Sequence, residues 1–351
     1  MFLENLLGKV LMRNQKSHGP SLDAMLAGFD QELENFTHLI QPASVSKPRT
    51  PFDSPHVKVN KFSGMRPSQF PALLSTMLPL IIKMRQGSKL YDGKFQPTAQ
   101  EATPEFLEKL ETLAKADGAR DIRYIKVPNN AIFQGKGLPY QNAIIFTVEM
   151  DRENMSTAPS FDAFLEVAKG YKRMAFISYK LARLMRKNGF AAYPGTALGG
   201  ITDYTHLGEL AGLGAIGYHG LLITPDEGAR VRINTIYTNI TNLPISDPAE
   251  NKHLWVRDFC AMCKKCIRKC PVNAIFDQPV PRGDGGMQTI NHTACRDYFN
   301  EYQGCAICLA ACPFSQSGYK KVQAKFKGNP SAPQFRIPVD VKTQAERKTI
   351  Q

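Results

Sequence analysis

The chain has 351 residues and a formal net charge of +13, and 43% of its residues are hydrophobic, enough for one large core or two smaller ones. No run approaches the roughly 18 uninterrupted apolar residues of a membrane-spanning helix. The positive charge favours an anionic partner, and an acidic electron carrier, a nucleic acid and an anionic membrane surface all fit that description.

The first 97 residues are rich in proline and predict an arm that wraps around the rest of the chain. Their most apolar stretch, residues 71–84, is interrupted by Pro79 and Lys83, so we expect a buried or interfacial helix there. The N-terminal sequence MFLENLLGKVLMRNQK shows neither a cleavage site nor a twin-arginine pair. These features predict a cytoplasmic protein.

Regular patterning over residues 98–250 predicts a domain of helices and strands. Helices are expected at residues 105–117, ended by Gly118, and at residues 161–188, ended by Gly189. Apolar runs predict strands at residues 122–127, 143–150, 190–193, 221–224 and 231–240. The fold class is therefore α/β (α+β), with helices packed on a mixed sheet.

Two further segments follow that domain. Residues 251–318 contain all eight cysteines of the chain and predict a separate metal-binding module. Residues 319–351 predict a basic tail. Basic residues gather at Lys264, Lys265, Arg268 and Lys269 and again over residues 320–327.

The stretch ELAGLGAIGYHG, residues 209–220, contains a GxGxxG pattern, which in dinucleotide-binding domains follows a strand and opens a helix. Here the order is reversed, because the preceding THLGELA predicts a short helix or turn and the following LLIT predicts a strand. Arg232 and Asn234 stand where an acidic residue is expected. The pattern therefore argues against a bound dinucleotide, and the glycines need another explanation.

The cysteines lie in two runs. The first, CAMCKKCIRKCP from Cys260 to Pro271, has the spacing of bacterial ferredoxins, and the second, which ends in CAICLAACP, complements it. In this pattern three closely spaced thiolates bind one cubane and the fourth reaches the other. The predicted ligand sets are Cys260, Cys263, Cys266 and Cys312 for one 4Fe-4S cluster, and Cys270, Cys295, Cys305 and Cys308 for the other. Structural zinc is the alternative reading of paired CxxC units.

The segment AGLGAIGYHGLLITPDEGARVR, residues 211–232, together with the two cysteine runs, resembles the reductive dehalogenases and their relatives, the epoxyqueuosine reductases. The resemblance covers about residues 143–315. The short gap from Cys295 to Cys305 and the CPFS ending resemble the dehalogenases more closely, since epoxyqueuosine reductases usually have a longer gap and a CPW ending. The absence of a twin-arginine pair is unlike respiratory dehalogenases.

The resemblance implies a nitroreductase-like domain that holds cobalamin with its lower base detached, fed by two 4Fe-4S clusters. Glycines in the corrinoid-binding core would let the backbone approach a flat cofactor. The residues implied in cofactor binding are Tyr193, His206, Gly212, Gly214, Gly217, Gly220, Leu222 and Thr224. DYTHLG, residues 203–208, is not a base-off cobalamin signature, because its histidine is one position too late.

The same resemblance implies a reduction by Co(I) in which a tyrosine, assisted by a cation, delivers the proton. Tyr171 is the first candidate, followed by Tyr179 and Tyr193, and Arg230 or Arg232 is the assisting cation. The expected substrate is an organohalide and the expected electron donor an acidic, low-potential ferredoxin or flavodoxin.

Three alternatives stay open. The chain could be an epoxyqueuosine reductase-like enzyme that acts on tRNA, or a non-catalytic ferredoxin-like electron-transfer protein. A flavin could replace cobalamin in the same domain. Peripheral contact with a membrane through residues 71–84 is a further possibility for the basic chain.

Overall fold

The computed structural model describes residues 31–48 and 65–328. Its central element is a four-stranded sheet in the order β1-β2-β6-β3. The strands, with two small hairpins that lie outside this sheet, are β1 Ala119–Lys126, β2 Asn142–Glu149, β3 Ala192–Pro194, β4 Ala215–Ile216, β5 Leu222–Ile223, β6 Val231–Thr238, β7 Ile275–Pro281 and β8 Met287–Ile290.

The helices precede, connect and follow these strands. They are α1 Phe70–Ser88, α2 Pro104–Ala116, α3 Arg152–Ser156, α4 Phe161–Lys187, α5 Tyr204–Leu210, α6 Trp255–Cys263, α7 Lys265–Lys269, α8 His292–Glu301, α9 Ile307–Ala311, α10 Pro313–Gln316 and α11 Tyr319–Lys325. The predicted helices at residues 105–117 and 161–188 are confirmed as α2 and α4. The helix predicted at residues 71–84 is confirmed within the longer α1.

The ends of the predicted helices have clear local causes. The side chain of Thr103 accepts a hydrogen bond from the Phe106 N–H at 3.3 Å, which caps α2. Ser160 caps α4 in the same way, accepting from the Ala163 N–H at 3.1 Å. Gly189 has a φ of +84° and ends α4, as the sequence predicts.

The mixed sheet expected from the sequence is wrong, because every strand pair in the four-stranded sheet is antiparallel. Strand direction depends on pairing between segments far apart in the chain, which local sequence patterns do not specify. β2 pairs along its whole length with β6, with Asn142 opposite Thr238 and Glu149 opposite Val231. The chain is therefore of the α+β kind.

The sheet separates two cores. On one face α1, α2 and α4 pack through residues that include Leu80, Leu110 and Met174 against Phe146 and Ile236 of the sheet. Helix α5 and the β4–β5 hairpin cover the other face, in a core of Leu207, Leu213, Leu222, Ile145 and Tyr237.

A third core joins the end of the sheet to the cysteine-rich module. Met150 and Ala229 from the sheet region, together with Ile223 of β5, pack there with Cys260 and Phe314 of the module. The predicted basic tail begins with α11, in which Tyr319 and Val322 are buried in this core. Packing thus continues past the predicted boundary at residue 318. In the part of the chain that the structure describes, no helix is long and apolar enough to cross a membrane.

Candidate iron–sulfur centre and adjoining site

Two short loops in the module share an unusual backbone conformation. Lys264, between Cys263 and Cys266, has a φ of +46°, and Ala306, between Cys305 and Cys308, has a φ of +67°. Left-handed conformations of this kind are costly for residues other than glycine and concentrate at functional sites. The two CxxC loops therefore have related geometry, each leading into a short helix, α7 or α9.

The thiols gather in two groups. Burial raises the pKa of Cys260 well above its usual value, and the nearby thiols of Cys312, Cys266 and Cys263 raise it further. We call these four residues the inner set. The pKa of Cys308 is likewise raised by burial and then by Cys305 and Cys295, and that of Cys295 by burial and then by Cys305 and Cys270. Cys270, Cys295, Cys305 and Cys308 form the outer set.

The nearest thiols follow the division of the predicted ligands, and Cys266 of the inner set also raises the pKa of Cys308 of the outer set. Their role as ligands stays a prediction. Three members of the inner set are buried, whereas all four of the outer set are partly exposed. Among residues 31–48 and 65–328, no three His, Cys, Asp or Glu side chains form a group able to hold a single metal ion.

Backbone N–H groups point at the sulfurs. Tyr218 donates to Cys260, and Phe314 and Ser315 donate to Cys312, and each of these contacts lowers the thiol pKa against the larger effect of burial. Ala274 donates to Cys270 Sγ at 3.2 Å. Such donors stabilise anionic sulfur and tune bound clusters.

The glycines of residues 212–220 lie beside the inner set. A methyl group at Gly214 would overlap the backbone oxygen of Ile223, and one at Gly220 would lie 2.5 Å from Thr289 Oγ1. One at Gly217 would lie 2.7 Å from Ile223 Cδ1. Only Gly212 of the four, with a φ of +72°, has open space around this position. Close packing within the protein therefore explains three of these glycines.

The elements around the GxGxxG pattern confirm the predicted order. Helix α5 precedes Gly212, and β5 follows Gly220. The crevice beside this segment has a volume of about 40 Å³ and lies against the β7–β8 hairpin. This volume is close to that of one water molecule. It holds neither a corrin nor a flavin.

A buried ion pair joins the glycine segment to the cluster module, and sequence reasoning missed it. Glu209, 1% exposed, pairs with Arg257 of α6 and also accepts from the Ile216 N–H at 2.7 Å. Asn251 Nδ2 donates to the carbonyls of Glu209 and Gly214 at 2.8 and 2.9 Å. No sequence motif marks this pair, because its partners are brought together only by the fold.

The predicted catalytic pair is brought together on the opposite face of the sheet. The Arg232 guanidinium lies over the Tyr171 ring at 4.7 Å, and Arg232 Cγ is 3.2 Å from where a methyl group at Gly170 would lie. The next strand residue, Ile233, instead contacts α5 at Gly208. Successive strand residues point to opposite faces. The structure therefore does not combine Tyr171 and the glycine segment in one site.

Arg230 lies where the sheet meets the module. It is buried and donates from Nη1 to Glu149 Oε1 at 2.8 Å and to the Met150 carbonyl at 2.7 Å. The neighbouring Gly228 leaves no room for a side chain against the backbone of Phe314, two residues beyond Cys312. This turn brings the Tyr171 face of the sheet against the segment that follows the inner set.

The remaining predicted residues lie on the α5 face or below it. Tyr193 is buried beneath the Arg186 guanidinium, 4.9 Å from its ring centre, and burial raises its pKa. His206 lines the crevice, and burial lowers its pKa while Asp203 opposes that effect. Leu222 is buried in the core, and Thr224 donates to Glu227 Oε2 at 2.9 Å.

A larger groove of about 720 Å³ runs along the outer side of α4. Lysines and arginines from α1 and α4 dominate its lining, with Phe176 and Tyr179 between them. Tyr179, the second tyrosine candidate, lies here, with Lys83 Nζ 4.8 Å from the centre of its ring. It is on the outer side of α4 and not at the Arg230 turn.

Comparison with known proteins adds three findings. Residues 253–276 match the family model described as a 4Fe-4S binding domain. The tetrachloroethene reductive dehalogenase of Sulfurospirillum multivorans is 33% identical over 185 residues, 50% of this chain and 36% of that protein.

The chain is similar in sequence to the reductive dehalogenases. The epoxyqueuosine reductase of Vibrio cholerae is more distant, 29% identical over 34% of this chain and 32% of its own. Both kinds of relative are oxidoreductases. The solved structure of the catabolic reductive dehalogenase NpRdhA superimposes with a TM-score of 0.65 at 18% identity, over 84% of this chain and 47% of that one.

These findings favour iron over the zinc alternative, and they confirm the resemblance and the mixed helix-and-sheet architecture. The chain covers between a quarter and a half of the length of the dehalogenases it matches.

Proposed function

We propose that this reductive dehalogenase relative is an iron–sulfur oxidoreductase that holds two 4Fe-4S clusters, one on the inner set and one on the outer set of cysteines. The observation that carries the proposal is the nearness of the thiols within each set, in a module whose residues 253–276 match a 4Fe-4S binding domain. Thiolates are the ligands of such clusters, and backbone donors to sulfur accompany them.

The exposure of the thiols gives the proposed direction of electron flow. The outer set is partly exposed, so a docked donor would reduce that cluster first. The inner set is more buried and lies beside the glycine segment, while Phe314, two residues beyond Cys312, contacts the turn that carries Arg230. Electrons would therefore pass from the outer to the inner cluster and then to an acceptor in the sheet domain.

Cobalamin is the acceptor that we propose, on a nitroreductase-like domain over residues 98–250. The residues that fit it are at the Arg230 turn, where the Nε–H groups of Arg230 and Arg232 are buried and without a hydrogen-bond partner among the described residues. Two such donors suit the amide or carboxylate side chains of a corrin. The glycine segment does not share this fit, because protein atoms fill its contacts.

The proposed reaction replaces a halogen of an organohalide by hydrogen, with two electrons and one proton consumed and a halide ion released. Cobalamin supplies, as Co(I), a metal centre that can pass electrons to the carbon–halogen bond. Tyr171 would hold the proton at its phenolic oxygen, and Arg232 over its ring would stabilise the negative charge that remains after transfer.

Metal and cofactor analysis tests this function. Protein purified without oxygen is expected to contain about eight irons and, after incubation with cobalamin, one cobalt per chain, and to release halide from an organohalide when reduced. Zinc in place of iron would contradict the cluster proposal. Iron without cobalt or flavin would favour a ferredoxin-like electron-transfer protein, and a flavin spectrum would replace cobalamin. Reduction of an epoxyqueuosine-containing tRNA would favour the second relative.

We further propose that an acidic ferredoxin or flavodoxin docks beside the outer set. Cys270 is flanked there by Arg268 and Lys269 at the end of α7 and by Val272, which is 36% exposed. An apolar patch with a basic rim suits a small, transient electron-transfer interface.

A further inference from the structure

His219 is a buried histidine that the proposed reaction does not use. It lies between Gly217 and Gly220 in the glycine segment and is 4% exposed. Its Nδ1 accepts a hydrogen bond from the Leu221 N–H at 3.2 Å. Because Nδ1 is an acceptor, the ring proton is on Nε2.

The Nε2–H of His219 has no hydrogen-bond partner among the residues that the structure describes. A buried donor without an acceptor has lost its hydration without compensation, which destabilises the fold. Such groups are rare in folded proteins, and each indicates an acceptor that belongs at the site. For His219 the surroundings identify that acceptor.

The histidine ring faces the inner set. The position of a methyl group at Gly217 would be 3.2 Å from His219 Cε1 and 3.5 Å from Cys260 Sγ. Cε1 is bonded to both ring nitrogens, so the imidazole that carries the free donor and the Cys260 thiol border the same point. The backbone N–H of the intervening Tyr218 already donates to Cys260. A second donor beside the same sulfur would reach the cluster that this set binds.

We propose that His219 donates an Nε2–H hydrogen bond to the 4Fe-4S cluster of the inner set, to a bridging sulfide or to the Cys260 sulfur, and thereby raises its reduction potential. The proposal rests on the proposed function in that the inner set holds a cluster. Reduction adds negative charge to the cluster, and a hydrogen-bond donor stabilises the more negative state. His219 is therefore a positioning and tuning residue of the electron path.

The test is a redox titration followed by electron paramagnetic resonance on the intact protein with both clusters. His219→Leu is expected to lower the potential of one cluster and leave the other unchanged. His219→Gln, which keeps an N–H donor, is expected to restore part of the shift. The matched control is His253→Leu, because His253 packs in the same module but its Nδ1 already bonds the Tyr319 hydroxyl at 2.8 Å.

A second measurement covers the case in which the Leu variant loses its cluster. In the unsubstituted protein with ¹⁵N-labelled histidine, pulsed resonance is expected to show nitrogen coupled to one reduced cluster, and His219→Gln should remove that coupling. Equal potentials in all variants, or no histidine coupling, would overturn the role of His219. An Nε2–H that bonds only water would give this result. Absence of any cluster in the unsubstituted protein would instead overturn the proposed function.

Discussion

At the scale of single residues, the structure separates residue types that the sequence places in one motif. Gly214, Gly217 and Gly220 are required where protein atoms leave no room for a side chain, while Gly212 alone has space. Tyr171 and Arg232 form a close pair, but on the other face of the sheet. A glycine in a cofactor-like pattern is therefore explained first by its own contacts and only then by a ligand.

Replacing Gly214 by alanine tests the packing explanation. The new methyl group would overlap the Ile223 carbonyl, so the β4–β5 hairpin would not close, and we expect a loss of about 3 kcal/mol or more in the free energy of unfolding. The measurement is chemical denaturation together with iron content. Gly283→Ala is the matched control, since nothing lies within 4 Å of its added methyl group. Equal stability of the two variants would contradict the explanation.

Replacing Tyr171 by phenylalanine tests the proposed proton donor. We expect halide release to fall by about 10²–10⁴-fold, because the variant keeps the ring beneath Arg232 but loses the proton. Iron and cobalt content should not change. Tyr179→Phe, on the outer side of the same helix, is expected to keep full turnover. Unchanged turnover in the Tyr171 variant would move the proton donor elsewhere.

At the scale of elements, the contact between the glycine segment and α6 positions the inner set. Glu209 at the end of α5 binds Arg257, three residues before Cys260, and Asn251 bonds the backbone of the same segment. Burial raises the pKa of Glu209, and the Arg257 guanidinium opposes that rise. The position of the inner set relative to the sheet domain therefore depends largely on this one buried ion pair.

Replacing Glu209 by glutamine is expected to lower the free energy of unfolding by about 3–5 kcal/mol, because the buried Arg257 guanidinium loses the carboxylate charge that faces it. Chemical denaturation measures this change. The control is Asp117→Asn, which breaks the exposed pair with Lys180 and is expected to cost at most about 1 kcal/mol. A similar small loss in both variants would show that the buried pair does not fix α6.

At the scale of the whole molecule, the positive charge of the surface and the exposure of the thiols both favour the proposed route for electrons. The basic patch at Arg268 and Lys269 lies beside Cys270 of the outer set, while three cysteines of the inner set, Cys260, Cys266 and Cys312, are buried in the third core. Electrostatic attraction accelerates encounter with a partner of opposite charge, and salt weakens it. The positive charge of the chain would attract the electron donor, and the exposed thiols of the outer set would lie where that donor docks.

Reversing Lys269 to glutamate tests this route. At low ionic strength we expect the second-order rate of cluster reduction by an acidic ferredoxin to fall about three- to tenfold, with the difference shrinking as salt is added. Stopped-flow absorbance of the clusters measures the rate. Lys109→Glu is the control, because it makes an equal charge change on the exposed side of α2, and it is expected to have little effect. Equal slowing by both variants would indicate net charge rather than a docking surface.

The sequence by itself determined the local features. The cysteine spacing indicated cluster ligands because cubane chemistry constrains nearby thiolates, and Gly118 and Gly189 marked the helix ends because such stop signals act within a few residues. The helix before Gly212 and the strand after Gly220 were enough to exclude a dinucleotide site.

Only the tertiary structure decided which distant residues contact one another. Four features depend on residues that are distant in sequence or on different faces of the sheet. They are the direction of β2 against β6, the separation of Tyr171 from the glycine segment, the pair of Glu209 with Arg257, and the closeness of His219 to Cys260. Local propensity carries no information about such contacts, because they form only when separate elements pack and bury their side chains together.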